Sequence, residues 1–125
     1  MAFIARAALA AAAALAFVSG TALAQDAARV DPKHYKVVFE NKQVRVLRIH
    51  YGPHESSVMH SHPDGVVTYL ADGRMKFELP GGKTITSSGK SGETIWAPGG
   101  PHKPTNLSNK AFDAVLVELK GKGKK

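Results

Sequence analysis

Two histidines separated by one residue, His60 and His62 in Met59-His60-Ser61-His62-Pro63, are the residues of this chain best suited to chemistry. They follow an extended-looking run. Side chains in a strand alternate faces, so residues at i and i+2 point the same way, about 7 Å apart at the rise of a β-strand. Neutral imidazole is a favoured ligand for zinc, copper, iron and nickel, and a reactive metal site usually combines three protein ligands with an open position. His102, in Pro98-Gly99-Gly100-Pro101-His102, supplies the third. The pattern points to one divalent transition metal (Fe, Zn, Mn, Ni or Cu) on His60, His62 and His102. The competing reading, histidines satisfied by hydrogen bonds alone, is weaker because three converging imidazoles are costly to bury unpaired.

The other candidate residues carry plainer expectations. His34 and His50 sit in or near outer strands as structural residues, and Asp64 makes a turn after His62-Pro63. Tyr69 and Trp96, the only tryptophan, belong to the core or to the wall of an apolar pocket beside the ion. Thr68 shares strand phase with Val66, which places its hydroxyl in the cavity where it would orient a metal-bound water. Asn106 is a supporting or turn residue.

The elements that must position these groups are short strands. Runs rich in β-branched and aromatic residues cover 35–40, 44–51, 56–62, 66–70, 75–79, 84–87, 93–97 and 111–119, with Gly- and Pro-rich turns between them. The apolar phase shifts between Val46 and Leu47, which predicts a bulge or bend there. Ala71-Asp72-Gly73-Arg74 carries the Asp-Gly signal of a two-residue hairpin, and Pro80-Gly81-Gly82-Lys83 makes another turn. The segment from Pro98 to Pro101 reads as a turn leading into His102. No window of helical period competes from Gln25 onward. The fold class is therefore all-β, a sandwich or barrel.

Composition bounds the rest. The chain has 125 residues, no cysteine and a formal charge of +7. Residues 1–24 have one early positive charge, an apolar run too short to span a bilayer comfortably, and a closing Ala22-Leu23-Ala24 site; they read as a secretory signal peptide. Periplasmic or secreted location follows, with no stable membrane insertion after cleavage. About 100 residues remain, enough for one core. We expect a mobile lead-in over 25–32, one domain over 33–120 and a basic disordered tail over 121–125. Without cysteine, stability in an oxidising compartment must come from the core and a metal. The Lys-rich tail is a solvated end, and nucleic acid is not an expected partner. The run 111–119 has apolar residues in both strand phases, so both of its faces should be covered, as a homodimer would do.

The residues then resemble the two signature motifs of the cupin superfamily. Gly52, His60, His62 and Gly73 match the first; Gly92, Pro98, Gly100, His102 and Asn106 match the second. The resemblance implies a double-stranded β-helix, a jelly-roll barrel with a metal held inside by the histidines. The family's glutamate ligand should fall at Val66, or at Val67 in the longer form of the motif, and neither coordinates. His54 and Glu55 are the alternative source of a further ligand. Cupins with three histidines and no glutamate are known among dioxygenases of thiols and diketones. The chain is similar to short exported bacterial cupins, some grouped with a β-alanine degradation family. The resemblance thus implies a metal-dependent enzyme of dioxygenase type acting on a small organic substrate, or a non-catalytic periplasmic module binding a metal or small ligand.

Overall fold

The structure, a computed structural model, describes residues 25–121. The expected signal peptide and residues 122–125 of the basic tail lie outside the described residues. Along the chain run α1 (Ala27–Val30), β1 (Tyr35–Glu40), β2 (Val44–Tyr51), β3 (His60–His62), β4 (Gly65–Tyr69), β5 (Gly73–Glu78), β6 (Thr84–Gly89), β7 (Thr94–Ala97), β8 (Gly100–Asn106) and β9 (Phe112–Leu119). They form a five-stranded sheet, ordered β1-β2-β9-β4-β7, and a four-stranded sheet, ordered β3-β8-β5-β6. Every strand pair is antiparallel. The all-β expectation holds, and the two sheets make a double-stranded β-helix.

Alternation explains why these runs are strands. In β2, Leu47, Ile49 and Tyr51 are buried while Arg48 and His50 are exposed. In β9, Phe112, Ala114, Leu116 and Glu118 are buried and the residues between them less so. These inward faces join Tyr35, Tyr69 and Met75 in one core between the sheets. Each large apolar side chain fully buried there contributes about 1.5–3 kcal/mol.

Three local expectations are corrected. The bulge lies in β1 rather than β2: Val37 pairs with Leu47 and Phe39 with Val46, which leaves Val38 as the extra residue. The phase shift in β2 is thus absorbed by its partner. Asp72-Gly73 does not close a hairpin, because β4 and β5 belong to different sheets; Asp72 instead accepts a hydrogen bond from the Ser91 amide at 2.8 Å. The segment from Gly100 is a strand that contains Pro101 and Pro104, although the stretch from Pro98 to Pro101 reads as a turn. β8 tolerates both because it pairs with β3 over its first half and with β5 over its second.

The lead-in is packed rather than loose. Ala27 is completely buried, the Gln25 carbonyl accepts from the Ser61 amide at 2.9 Å, and Asp26 forms a parallel bridge to Ser61. The Pro80–Lys83 turn is as expected, with Gly81 and Gly82 both at φ 87°, a region that disfavours side chains.

Candidate metal centre

β3 and β8 carry the three histidines. Their register sets His60 opposite His102 and His62 opposite Gly100. Gly100 has φ 121°, which only glycine adopts readily, so the strand enters this register through a backbone that another residue would strain. His60 and His62 share a strand face, and His102 joins them from the neighbouring strand. Ring centroids lie 4.7 Å apart for His60 and His62, 4.9 Å for His60 and His102, and 5.3 Å for His62 and His102. One nitrogen from each falls within 4.8 Å of the others. The expected triad therefore assembles.

The outer nitrogens identify the tautomers. His60 Nδ1 lies 2.9 Å from the Val58 carbonyl oxygen, and His62 Nδ1 lies 2.7 Å from Glu118 Oε2. A carbonyl and a carboxylate only accept, so both Nδ1 atoms carry the proton and each Nε2 presents a lone pair. Nε2 of His60 and of His102 is buried with no hydrogen-bond partner. Buried polar atoms are almost always satisfied, so these two await a partner, and the tautomer of His60 calls for one that accepts a lone pair. A divalent transition ion does so, and the donor set fits one.

Electrostatics favours the same state. Burial, reinforced by the neighbouring His62, lowers the His60 pKa to about 4. His102 falls to about 3 by burial, then by His62 and His60. Both are neutral, ligand-ready imidazoles at physiological pH. Phe77 stacks on the His102 ring at 5.0 Å and fixes its plane.

A carboxylate stands behind each histidine of β3. Glu118, almost fully buried, accepts from His62 and, at 2.7 Å, from Arg45 Nε. Burial pushes its pKa up, but these two donors outweigh burial and hold it below the usual range. Arg45 in turn binds Asp26. Behind His60, Nδ1 also reaches Ser57 Oγ at 3.1 Å, and Ser57 donates to Asp31 Oδ2. Asp31 also accepts from His34 at 2.7 Å. Such outer partners orient metal ligands and raise their basicity. Sequence reasoning missed Glu118, Asp31, Ser57 and Arg45 as site residues. Glu118 did leave a signal, since it shares the inward phase of Phe112, Ala114 and Leu116, where a lone charge needs a partner.

Several expectations change here. Val66 pairs with Val117 and Trp96 on the outer face, whereas Val67 pairs with Leu116 and lines the cavity. Only Val67 stands where the family's glutamate would reach in. Thr68 faces out as well, bonded to the Thr94 hydroxyl at 2.9 Å, so it does not orient a bound water. His54 bonds Asn109 at 2.6 Å and Glu55 pairs with Lys33 at 2.6 Å; neither joins the triad. Tyr69 is a buried cavity wall, while Trp96 is 54 % exposed at the rim. His34 stacks on Tyr51 at 4.2 Å and His50 pairs with Asp113 at 2.9 Å, both structural. Asp64 accepts from the Gly99 amide at 2.7 Å, and buried Asn106 donates to the Gly52 and Lys110 carbonyls.

A cavity of about 380 Å³ opens beside His62 and His102 between the sheets. Tyr35 and Tyr51 join hydroxyls at 2.5 Å on its floor, with the Tyr35 ring 4.8 Å from that of His60. Burial raises the pKa of both phenols, Tyr35 further through Tyr51, so both stay protonated.

Among solved structures, the chain is similar to a cupin domain from Bordetella pertussis Tohama I, at 29 % identity over 70 % of this chain and 92 % of that one, with a TM-score of 0.64. It also resembles an uncharacterized conserved protein with a double-stranded β-helix domain from Klebsiella pneumoniae, at 26 % identity, 72 % and 78 % coverage and a TM-score of 0.55. An RmlC-like cupin family protein from Methanocaldococcus jannaschii shares the fold alone, at 14 % identity, 68 % and 77 % coverage and a TM-score of 0.54. No protein-family model and no curated protein matches the chain. The fold is that of a cupin, and these likenesses support the cupin superfamily.

Proposed function

We propose that the protein holds one divalent transition metal on His60, His62 and His102 and presents it to a small organic molecule inside the barrel, as a metal-dependent oxidoreductase of dioxygenase type. The observation that carries this reading is the pair of buried, unpartnered Nε2 atoms on His60 and His102, aimed into a group of nitrogens at coordinating separation. Three neutral ligands leave the ion its full charge and open positions, and when bound it supplies Lewis acidity or, as iron or copper, oxygen activation. The chain's own contribution is to orient the imidazoles through Glu118 and Ser57 and to keep water from the cavity floor. Among the described residues that line the cavity, no aspartate, glutamate, lysine or arginine offers acid–base catalysis. That absence argues against a hydrolase or isomerase.

A non-catalytic binding module would show the same acid-free cavity, which makes it the second reading. We further propose export through residues 1–24, on the apolar run and the Ala22-Leu23-Ala24 site. Within the superfamily we place the chain with short exported bacterial cupins, some grouped with a β-alanine degradation family. A homodimer is proposed from the outer face of the five-stranded sheet, where the pairing register aligns Phe39, Val46, Val117, Val66 and Trp96 in one apolar row. Elemental analysis of untagged protein tests the central claim. One ion per chain, lost in His60→Ala, is expected; full occupancy in that variant overturns the three-histidine site. Oxygen uptake by the iron-loaded protein in the presence of candidate substrates separates oxygenase from binding module.

A further inference from the structure

The cavity wall is as informative as the triad. Its polar side chains among the described residues are two of the histidines, three tyrosines and Ser87; the remainder is aliphatic, aromatic, proline or glycine. The tyrosine hydroxyls are already engaged, Tyr35 with Tyr51 at 2.5 Å and Tyr69 with Ser87 at 3.3 Å. No lysine, arginine, aspartate or glutamate lines it. The one carboxylate nearest the triad, Glu118, is shared between His62 and Arg45 and offsets little of the charge an ion would bring. A dication on three neutral ligands attracts a single anionic donor. Everything beyond that donor meets apolar wall, where an unpaired second charge would lose its hydration with nothing in exchange.

Resting on the metal reading above, we propose that this site selects molecules with one anionic donor head for the ion and an otherwise uncharged, apolar body. Zwitterions and diacids are excluded. The volume of about 380 Å³ lies near the low end of the ~300–1,000 Å³ usual for small-molecule sites, so the body is small. Its path is set by the sheet: Phe77 stacks on His102 and pairs with Ile85 on β6. Ile85 lines the cavity and is 47 % exposed, so it marks the rim. It lies two strands from β8, roughly 10 Å at the spacing of adjacent strands, and a chain of about six carbons stays inside.

Three probes of one length test this: hexanoate, adipate and 6-aminohexanoate share a head and a six-carbon chain and differ only in the far end. Calorimetry on the zinc-loaded full chain, with zinc content measured on the same sample, should show hexanoate binding and the other two at least tenfold weaker. Ile85→Arg, a substitution at the exposed rim, should strengthen adipate at least tenfold and leave 6-aminohexanoate weak. Adipate or 6-aminohexanoate binding as tightly as hexanoate to the zinc-loaded protein overturns the proposal, as does a zinc-loaded protein that ignores hexanoate. Failure to take up zinc registers separately: it sinks the triad reading, and the proposal falls with it because the head then has no anchor.

Discussion

Glu118 Oε2 lies 2.7 Å from His62 Nδ1, a contact that joins the two sheets at the histidine triad. β4 must lie close against β9 there. Gly65 sits opposite Glu118, and a Cβ on Gly65 would come within 2.3 Å of the Val117 carbonyl oxygen. Glu118→Gln keeps the shape but cannot satisfy both His62 and Arg45 as an ionised acceptor. Metal affinity should fall about 10–100-fold, the usual effect of losing such an outer partner. Zinc titration of the variant against the parent checks this.

The N-terminal segment acts on the same site from the other side. Asp26 holds Arg45, which holds Glu118, while Asp31 accepts from Ser57 behind His60. Starting the chain after Val30 removes the Asp26 contact and uncovers the pocket filled by Ala27. Thermal unfolding should show a lower melting temperature, and zinc affinity should drop several-fold even though every ligand remains. Unchanged affinity would confine the segment to covering the barrel.

Proton competition for the ion should be slight near neutrality. With His60 at about 4 and His102 at about 3, neither carries a proton to displace at pH 5.5. Three free histidines, each titrating near ~6.5, would instead compete strongly at that pH. Calorimetry in buffers of differing ionisation enthalpy should find at most one proton released per zinc bound at pH 5.5.

The metal-free protein should weaken in acid. The folded pKa of His60 lies below its unfolded value, so between about 6.5 and 4 the unfolded chain takes up a proton that the folded chain refuses. Its full contribution is therefore present above pH ~6.5 and is lost as pH falls through that window, on the order of 3 kcal/mol for His60 by pH 4. Urea unfolding of the apo protein between pH 7 and 4 measures the slope; saturating zinc should raise stability across the range without removing that slope, because it acts on the folded chain and leaves proton uptake by the unfolded chain unchanged.

Two neighbouring valines should behave oppositely. Val67→Glu points into the cavity beside Leu116 and should add a fourth ligand and raise zinc affinity. Val66→Glu points outward beside Val117 and Trp96 and should leave affinity unchanged. Equal effects of the two substitutions would show that the inward face of β4 is misassigned.

The sequence by itself determined the strand-rich class, most strand positions and the three histidines. Those depend on local rules: alternation, turn residues, and imidazoles at i and i+2. It also marked the motif glycines, of which Gly100 has the backbone only glycine tolerates. What it could not decide is anything set by which strand lies beside which. The Asp72-Gly73 turn has hairpin chemistry yet crosses between sheets, because β4 finds better partners in β9 and β7 and β5 in β6 and β8. The choice between Val66 and Val67 turns on a single-residue step, and only pairing with Leu116 or Val117 settles the face. Likewise Glu118 reaches His62 across 56 residues of chain, and Asp31 reaches Ser57 across 26. No local rule encodes contacts of that range; they exist because closing the barrel stacks one sheet on the other and brings each buried carboxylate to its donors.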